Sequence, residues 1–319
     1  MSFLQVMARR LAVFLGTVLA ASIVIFLIVQ ALPGDVATAT LGMGASPEAV
    51  EALRIKWGLD RPIGLRYLEW LIGMMHGDFG VSYLTGQSVI SQIAPKFAVT
   101  AWLVGLSVPM SILVAIPIGL LAAMMRRKWT GVVVNAVSHF GMAIPVFFAG
   151  TILTIIFAIR LRWLPPNGYT PLRTSFSGWL THLILPVATI VIVQGCFLAR
   201  YVRSGFIEVL NEDYFRTARS VGWTKWRGMI RHGVRNVAIS LVTVVGLQIA
   251  SLLVGAILVE QVFALPGMGR LLVDAVAAKD LMVVQGVGML LVFVVLLVNT
   301  LVDLAYYAID PRLTKAVRT

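Results

Sequence analysis

NEDYFRTARSVGWTKWRGMIRHGVRNV, residues 211–237, is a polar, basic stretch held between two long apolar runs. The run before it ends at Arg200 and the one after it begins at Val237. Asn211 fits a helix N-cap. Glu212 and Asp213 fall in the first turn, where the helix dipole favours anions, and Arg216 and Arg219 follow where it favours cations. Gly222 suits the left-handed position just past a helix end. Together these signals predict a helix of about ten residues, some 15 Å long. Such a helix is too short to persist alone in water, so it must lie against something. Tyr214, Ala218 and Val221 share one face with Phe215 beside them, and the other face is charged. Two readings follow. The helix rests on lipid headgroups, or it enters a groove on a cytoplasmic partner. In the second, Ala218 and Gly222 permit close approach and Tyr214 and Phe215 give anchoring area. The residues alone leave both open.

Outward from this stretch the chain is strongly apolar. Of its 319 residues, 59% are hydrophobic and 13% charged, about half the charge of a soluble domain. A helix needs about 20 apolar residues to cross a bilayer. Six runs meet that length, at 11–31, 99–125, 132–159, 179–199, 237–259 and 282–306. The expected fold is therefore all-α, a polytopic integral membrane protein with six transmembrane helices. Residues 11–29 carry no charge, a longer run than the roughly 7–15 residues of a secretory signal core, so the first run is read as a retained span. Cys196 is the single cysteine and sits within the fourth run, where an inert, buried thiol is expected. His76, His139, His182 and His232 show no zinc-ligand spacing. Neither a metal nor another cofactor is expected.

Charge sets the orientation. With a cytoplasmic N-terminus, segments 1–10, 126–131, 200–236 and 307–319 lie inside. They hold 16 of the 26 basic residues against four acidic ones, Glu208, Glu212, Asp213 and Asp310. Short cytoplasmic loops collect Lys and Arg in this way. The net charge of +12 then reflects topology and contact with anionic membrane lipid, with no nucleic-acid partner. Both termini are expected in the cytoplasm, and 200–236 is the largest inner loop.

The chain divides into an N-terminal span (1–32), an outer segment (33–98), five further spans (99–306, containing the loop 200–236) and a tail (307–319). In the outer segment, Ser46-Pro47-Glu48 reads as N-cap, first-turn proline and acidic first turn, with Gly58 as a stop. Residues 62–75 place Leu68, Leu71, Ile72 and Met75 on one face. The two helices are read as lying on the outer membrane surface, as a docking surface for another protein, or as both. Pro109, Pro117, Pro145 and Pro186 fall inside spans and predict kinks. Polar residues there are few: Asn135, His139, Gln194, Gln248, Asn299 and Asp303. Each suits an interhelical hydrogen bond. Gln194, Gln248 and Asn299 are also candidates to line a pathway.

The opening stretch resembles the cytoplasmic EAA loop of permease subunits of ABC importers. Ala218 and Gly222 match its general pattern. The fuller form Asp-Tyr-x-Arg-Thr-Ala-Arg-x-x-Gly, then Arg-His-x-x-Arg-Asn, covers Asp213 to Gly222 and Arg231 to Asn236 and resembles the dipeptide, oligopeptide and nickel branch. Further motifs of that branch follow in order: Leu32-Pro33-Gly34-Asp35, Gly58-Leu59-Asp60-Arg61-Pro62, Gly77-Asp78-Phe79-Gly80-x-Ser82, Glu260-x-Val262-Phe263-x-x-Pro266-Gly267-x-Gly269 and Asp310-Pro311-Arg312.

The resemblance implies a type I importer fold with a MetI-like permease core, in a bacterial inner membrane. It also implies two permease subunits, the second a related chain, with two ATPase domains and an extracytoplasmic substrate-binding protein. The ATPase-coupling residues would be Asp213, Tyr214, Phe215, Arg216, Ala218, Arg219 and Gly222. The chain has no Gly-x-x-x-x-Gly-Lys-Ser/Thr phosphate loop, so it is read as a non-catalytic subunit with hydrolysis on partner chains. Di- or oligopeptides are the first-choice substrate, with nickel, glutathione and haem as cousins. The alternative is an ion-coupled secondary transporter, which needs intramembrane charge and usually inverted repeats.

Overall fold

The computed structural model describes residues 3–31, 36–42 and 44–309. Leu32-Pro33-Gly34-Asp35 and Asp310-Pro311-Arg312 lie outside the described residues, as do the side chains of His232, Arg235, Asn236 and Asp303. Most of the described chain is helical, with one isolated bridge between Val81 and Ser88 among the described residues. In order, the helices are α1 (Phe3–Gln30), α2 (Val36–Leu41), α3 (Pro47–Lys56), α4 (Ile63–Met75), α5 (Val89–Met124), α6 (Trp129–Ala143), α7 (Val146–Leu153), α8 (Phe176–Asn211), α9 (Asp213–Ser220), α10 (Lys225–Gly228), α11 (Val234–Val262), α12 (Met268–Ala277) and α13 (Leu281–Ile309). Two π-helical turns, Thr154–Arg160 and Met229–Gly233, extend α7 and lead into α11.

Five helices are long and apolar enough to cross a membrane, and a bent pair brings the number to six. The pair is the third expected span. Instead of a kink, Trp129–Ala143 and Val146–Arg160 meet at 103°. The cause is local. Ile144 precedes Pro145 and is driven to extended backbone, at φ −77 and ψ 121, and Pro145 offers no N–H to carry the ladder on. Around Pro109, Pro117 and Pro186, by contrast, α5 and α8 continue.

The fourth span also departs from expectation. Helix α8 does not stop near Arg200 but runs 36 residues to Asn211. That is about 54 Å of helix, well beyond the roughly 30 Å hydrocarbon core. Its surplus is amphipathic, with Val202, Phe206 and Val209 buried on one stripe.

The helices gather into two compact units, Met1–Val99 with Pro266–Leu297, and Thr100–Leu265 with Val298–Thr319. In the first, Phe26 of α1 meets Tyr67 and Trp70 of α4 edge-on and tilted, at 5.4 and 5.9 Å. Ser22 Oγ and the Tyr67 hydroxyl share a 2.9 Å hydrogen bond. Val29, Val89, Ile93, Met268, Val283 and Val287 form its second cluster. The predicted cap of α3 is present: Ser46 Oγ accepts from Ala49 N, and Gly58 follows at φ +67. On α4 the packed face is Tyr67 and Trp70, whereas Leu68, Ile72 and Met75 point away from the chain.

The outer-segment motif has a physical role too. Asp78 accepts from the Gly80 N–H at 2.8 Å, and Ser82 donates to buried Asp280. Gly77 and Gly80 take positive φ, where a side chain is strained. In the second unit α8 is central, packed by α6, α7 and α11. There the fully buried Glu260 carboxylate accepts from Thr100 Oγ1 at 2.5 Å, satisfying an acid that would be costly to bury alone.

Candidate functional site

The opening stretch folds as a short helix hung beneath the end of α8. Helix α9 spans Asp213–Ser220, shorter than expected at its start. Asn211 is not its N-cap: it is the last residue of α8, and Glu212 takes the cap position without a side-chain bond. The apolar stripe of α8 carries the longer helix to Asn211, and the cap shifts by one residue. At the other end the expectation holds. Gly222 sits at φ +95. Trp223 N donates to Ala218 O and Gly222 N to Arg219 O, the paired bonds of a Schellman stop.

Phe215 is where the sequence reading needs correction. Expected beside the docking face, it is instead 4% exposed and enters the core of its own unit with Phe206, Val209 and Met229. Gly228 lies beneath it: a Cβ there would come within 3.2 Å of the ring. Phe215 thus fastens α9 to α8 and to the approach of α11. Tyr214, on the outward side, is 41% exposed and Val221 74%. Asp213, Arg216 and Arg219 are exposed and Ala218 half-buried. Arg216 pairs with Asp213 at 3.3 Å, an exposed pair of little energetic weight.

The turn after α9 is braced by its own basic residues. Arg219 Nη1 donates to Trp223 O at 2.8 Å, and the Arg231 guanidinium lies 5.4 Å from the Trp223 ring centre. Thr224 caps α10 by accepting from Arg227 N. Arg126, between α5 and α6, reaches Asn211 at 3.5 Å. Partial burial lowers the Lys225 pKa, and Arg126, Arg127 and Arg219 push it further the same way. Four cations therefore crowd one surface beside α9. Its exposed apolar residues, Tyr214, Val221, Trp226 and Ile230, stand within that positive field.

The pathway candidates Gln194, Gln248 and Asn299 all fall in the second unit and are each half-buried. No hydrogen bond joins them among the described residues. Gln194 Nε2 is buried without a partner, as are the hydroxyls of Ser107 and Ser111 on α5. The serines were not singled out from the sequence, because a hydroxyl in an apolar helix ordinarily bonds the preceding turn.

With this geometry in place, residues 115–315 match the family described as binding-protein-dependent transport system inner membrane component, and residues 3–104 match its N-terminal membrane component. The chain belongs to this family. It is a multi-pass inner-membrane permease subunit of the ABC importer class, all-α with a MetI-like fold. A Brucella suis protein named as a peptide transport system permease is 40% identical over 304 residues, covering 95% of this chain and 97% of the relative. The glutathione transport system permease protein GsiC of Salmonella choleraesuis is 36% identical, covering 97% and 98%. The inward-facing MetNI methionine ABC transporter matches in fold, with a TM-score of 0.56 over 69% of this chain and 97% of that chain, at 15% identity.

Proposed function

We propose that this permease forms half of a translocation pathway for di- or oligopeptides and takes its driving force through α9 from separate ATPase subunits. The remaining parts would be a second, related permease chain, two ATPase domains and an extracytoplasmic substrate-binding protein. Residues 99–306 would form the permease core, with residues 1–98 as a branch-specific addition. Gln194, Gln248 and Asn299 stay candidates for the pathway lining.

The observation that carries this reading is the mounting of α9. A helix of eight residues cannot hold itself together in water. Here it is fastened by one buried aromatic ring and closed by a glycine turn, with Tyr214, Ala218 and Val221 left toward the outside. An element fastened on one side and open on the other suits force transfer. The names of the relatives support the substrate class, since glutathione is itself a tripeptide.

Orientation is tested first. In a Cys196→Ala background, Gln87→Cys should react with an impermeant thiol reagent in intact cells. Ser220→Cys should react only after permeabilisation. Both positions are exposed, so access depends on membrane side. The opposite pattern would put α9 outside and remove the coupling role.

A further inference from the structure

Beside α9 lies a basic turn that the coupling residues do not include. Between α5 and α6 the chain turns through Met125, Arg126, Arg127 and Lys128. Lys128 N donates to Met125 O at 2.8 Å, and a Cβ at Gly131 would overlap the Met125 carbonyl. The turn is therefore tight, and Arg126 reaches from it to Asn211 at the foot of α8, at 3.5 Å. Arg127, Lys128 and Trp129 are exposed, the tryptophan by 78%. Helix α10 adds Lys225 and Trp226, both exposed as well.

The charges here are of one sign. Partial burial lowers the Lys225 pKa, and Arg126, Arg127 and Arg219 add to the shift, so the charges acting on it are all cations. The turn, α10 and the end of α9 thus share one positive field. The acids of this part of the chain are Glu208, Glu212 and Asp213. Asp213 pairs with Arg216. Glu208 and Glu212 are exposed and make no ion pair among the described residues, nor do Arg126, Arg127, Lys128 and Lys225. The fold holds like charges together without an internal counterion, a cost that an acidic partner offsets.

Depth selects that partner. The apolar run of α8 ends at Arg200, and Asn211 stands about 16 Å further along the helix. A tilt of about 40° would still leave about 12 Å. Headgroups reach only about 5–8 Å past the hydrocarbon core, so a turn that touches Asn211 lies beyond them. The last turns of α5 are apolar because Leu120 and Ala123 join a buried cluster with Leu198, Val202 and Phe206. Exposed tryptophan among arginines is the residue pattern of a protein interface centre. We propose that the α5–α6 turn, with Lys225 and Trp226 of α10, is a second docking surface for the ATPase subunit, fitted to an acidic stretch beside the groove that takes α9. It rests on the reading that α9 faces that subunit. The positive field steers the subunit to the permease and fixes its register.

Crosslinking in the assembled transporter tests this. In a Cys196→Ala background, Arg127→Cys and Ser220→Cys should each crosslink to the ATPase subunit. Arg127→Glu and Lys225→Glu should each weaken ATPase association roughly tenfold at low salt, because like charges then face each other. Arg127→Gln should fall between wild type and Arg127→Glu. The differences should shrink as salt is raised and screening shortens to about 10 Å or less. Arg127 is exposed and makes no ion pair among the described residues, so these changes remove no contact of the fold. A crosslink from Ser220→Cys without one from Arg127→Cys would overturn the second surface and leave α9 docked alone. Absence of both crosslinks would remove the docking of α9 as well. Unchanged association of Arg127→Glu would overturn the acidic complement. A defect confined to membranes rich in anionic lipid, and missing in detergent, would assign the turn to lipid headgroups and overturn the proposal too.

Discussion

Gly222→Asp is expected to insert into the membrane normally and to abolish ATP-driven uptake. A Cβ at Gly222 meets nothing within 4 Å, so the fold has room for the side chain. The backbone pays about 1 kcal/mol because φ is +95. The larger effect comes at the surface. Desolvating a carboxylate against a partner would cost several kcal/mol more, since even a neutral polar group left without a bond costs roughly 2–7 kcal/mol. Ala218→Glu should act through the same contact while leaving the turn intact. Cysteine crosslinking from Ser220→Cys to the ATPase subunits, with peptide uptake measured alongside, reads both steps. If either variant keeps wild-type crosslinking and uptake, that position does not touch the ATPase. If both do, α9 rests on lipid headgroups instead.

Phe215→Ala should produce a different failure. Removing a buried phenylalanine costs about 3–5 kcal/mol, and here the loss falls on the joint between α9 and the cluster of Phe206, Val209 and Met229. The outward face of α9 is untouched. The expected signature is uncoupling: the complex still assembles and still hydrolyses ATP, while uptake falls by at least about tenfold, the equivalent of only 1.4 kcal/mol. Tyr214→Ala is the contrast. It removes exposed area and should weaken ATPase association first. Identical behaviour of the two variants would mean that Phe215 acts as a general core residue and carries no force.

The spans were readable from the sequence because uninterrupted apolar runs of that length have no other use. So was the turn at Gly222, where the basic last turn and the glycine agreed, although the cap fell on Glu212 and not Asn211. The end of α8 was not. Arg200 and Arg203 look like the start of a loop, yet they occupy one side of a helix whose other side carries Val202, Phe206 and Val209. A stripe at helical spacing was present and was masked by the charges between. Phe215 was misplaced for a related reason: on an eight-residue helix, adjacent aromatics point in different directions, and only the partner elements decide which one turns inward. The break at Pro145 exceeded a kink because the residue before the proline left the helix as well.

The most direct measurement is peptide accumulation in proteoliposomes containing this chain, its partner permease and the ATPase subunits, with ion gradients collapsed. ATP is supplied on the side of α9 and loaded binding protein on the other. Peptide should accumulate, and accumulation should stop when the binding protein is omitted or ATP is replaced by a non-hydrolysable analogue. Accumulation without ATP, driven by an imposed proton or sodium gradient, would contradict ATP-driven transport.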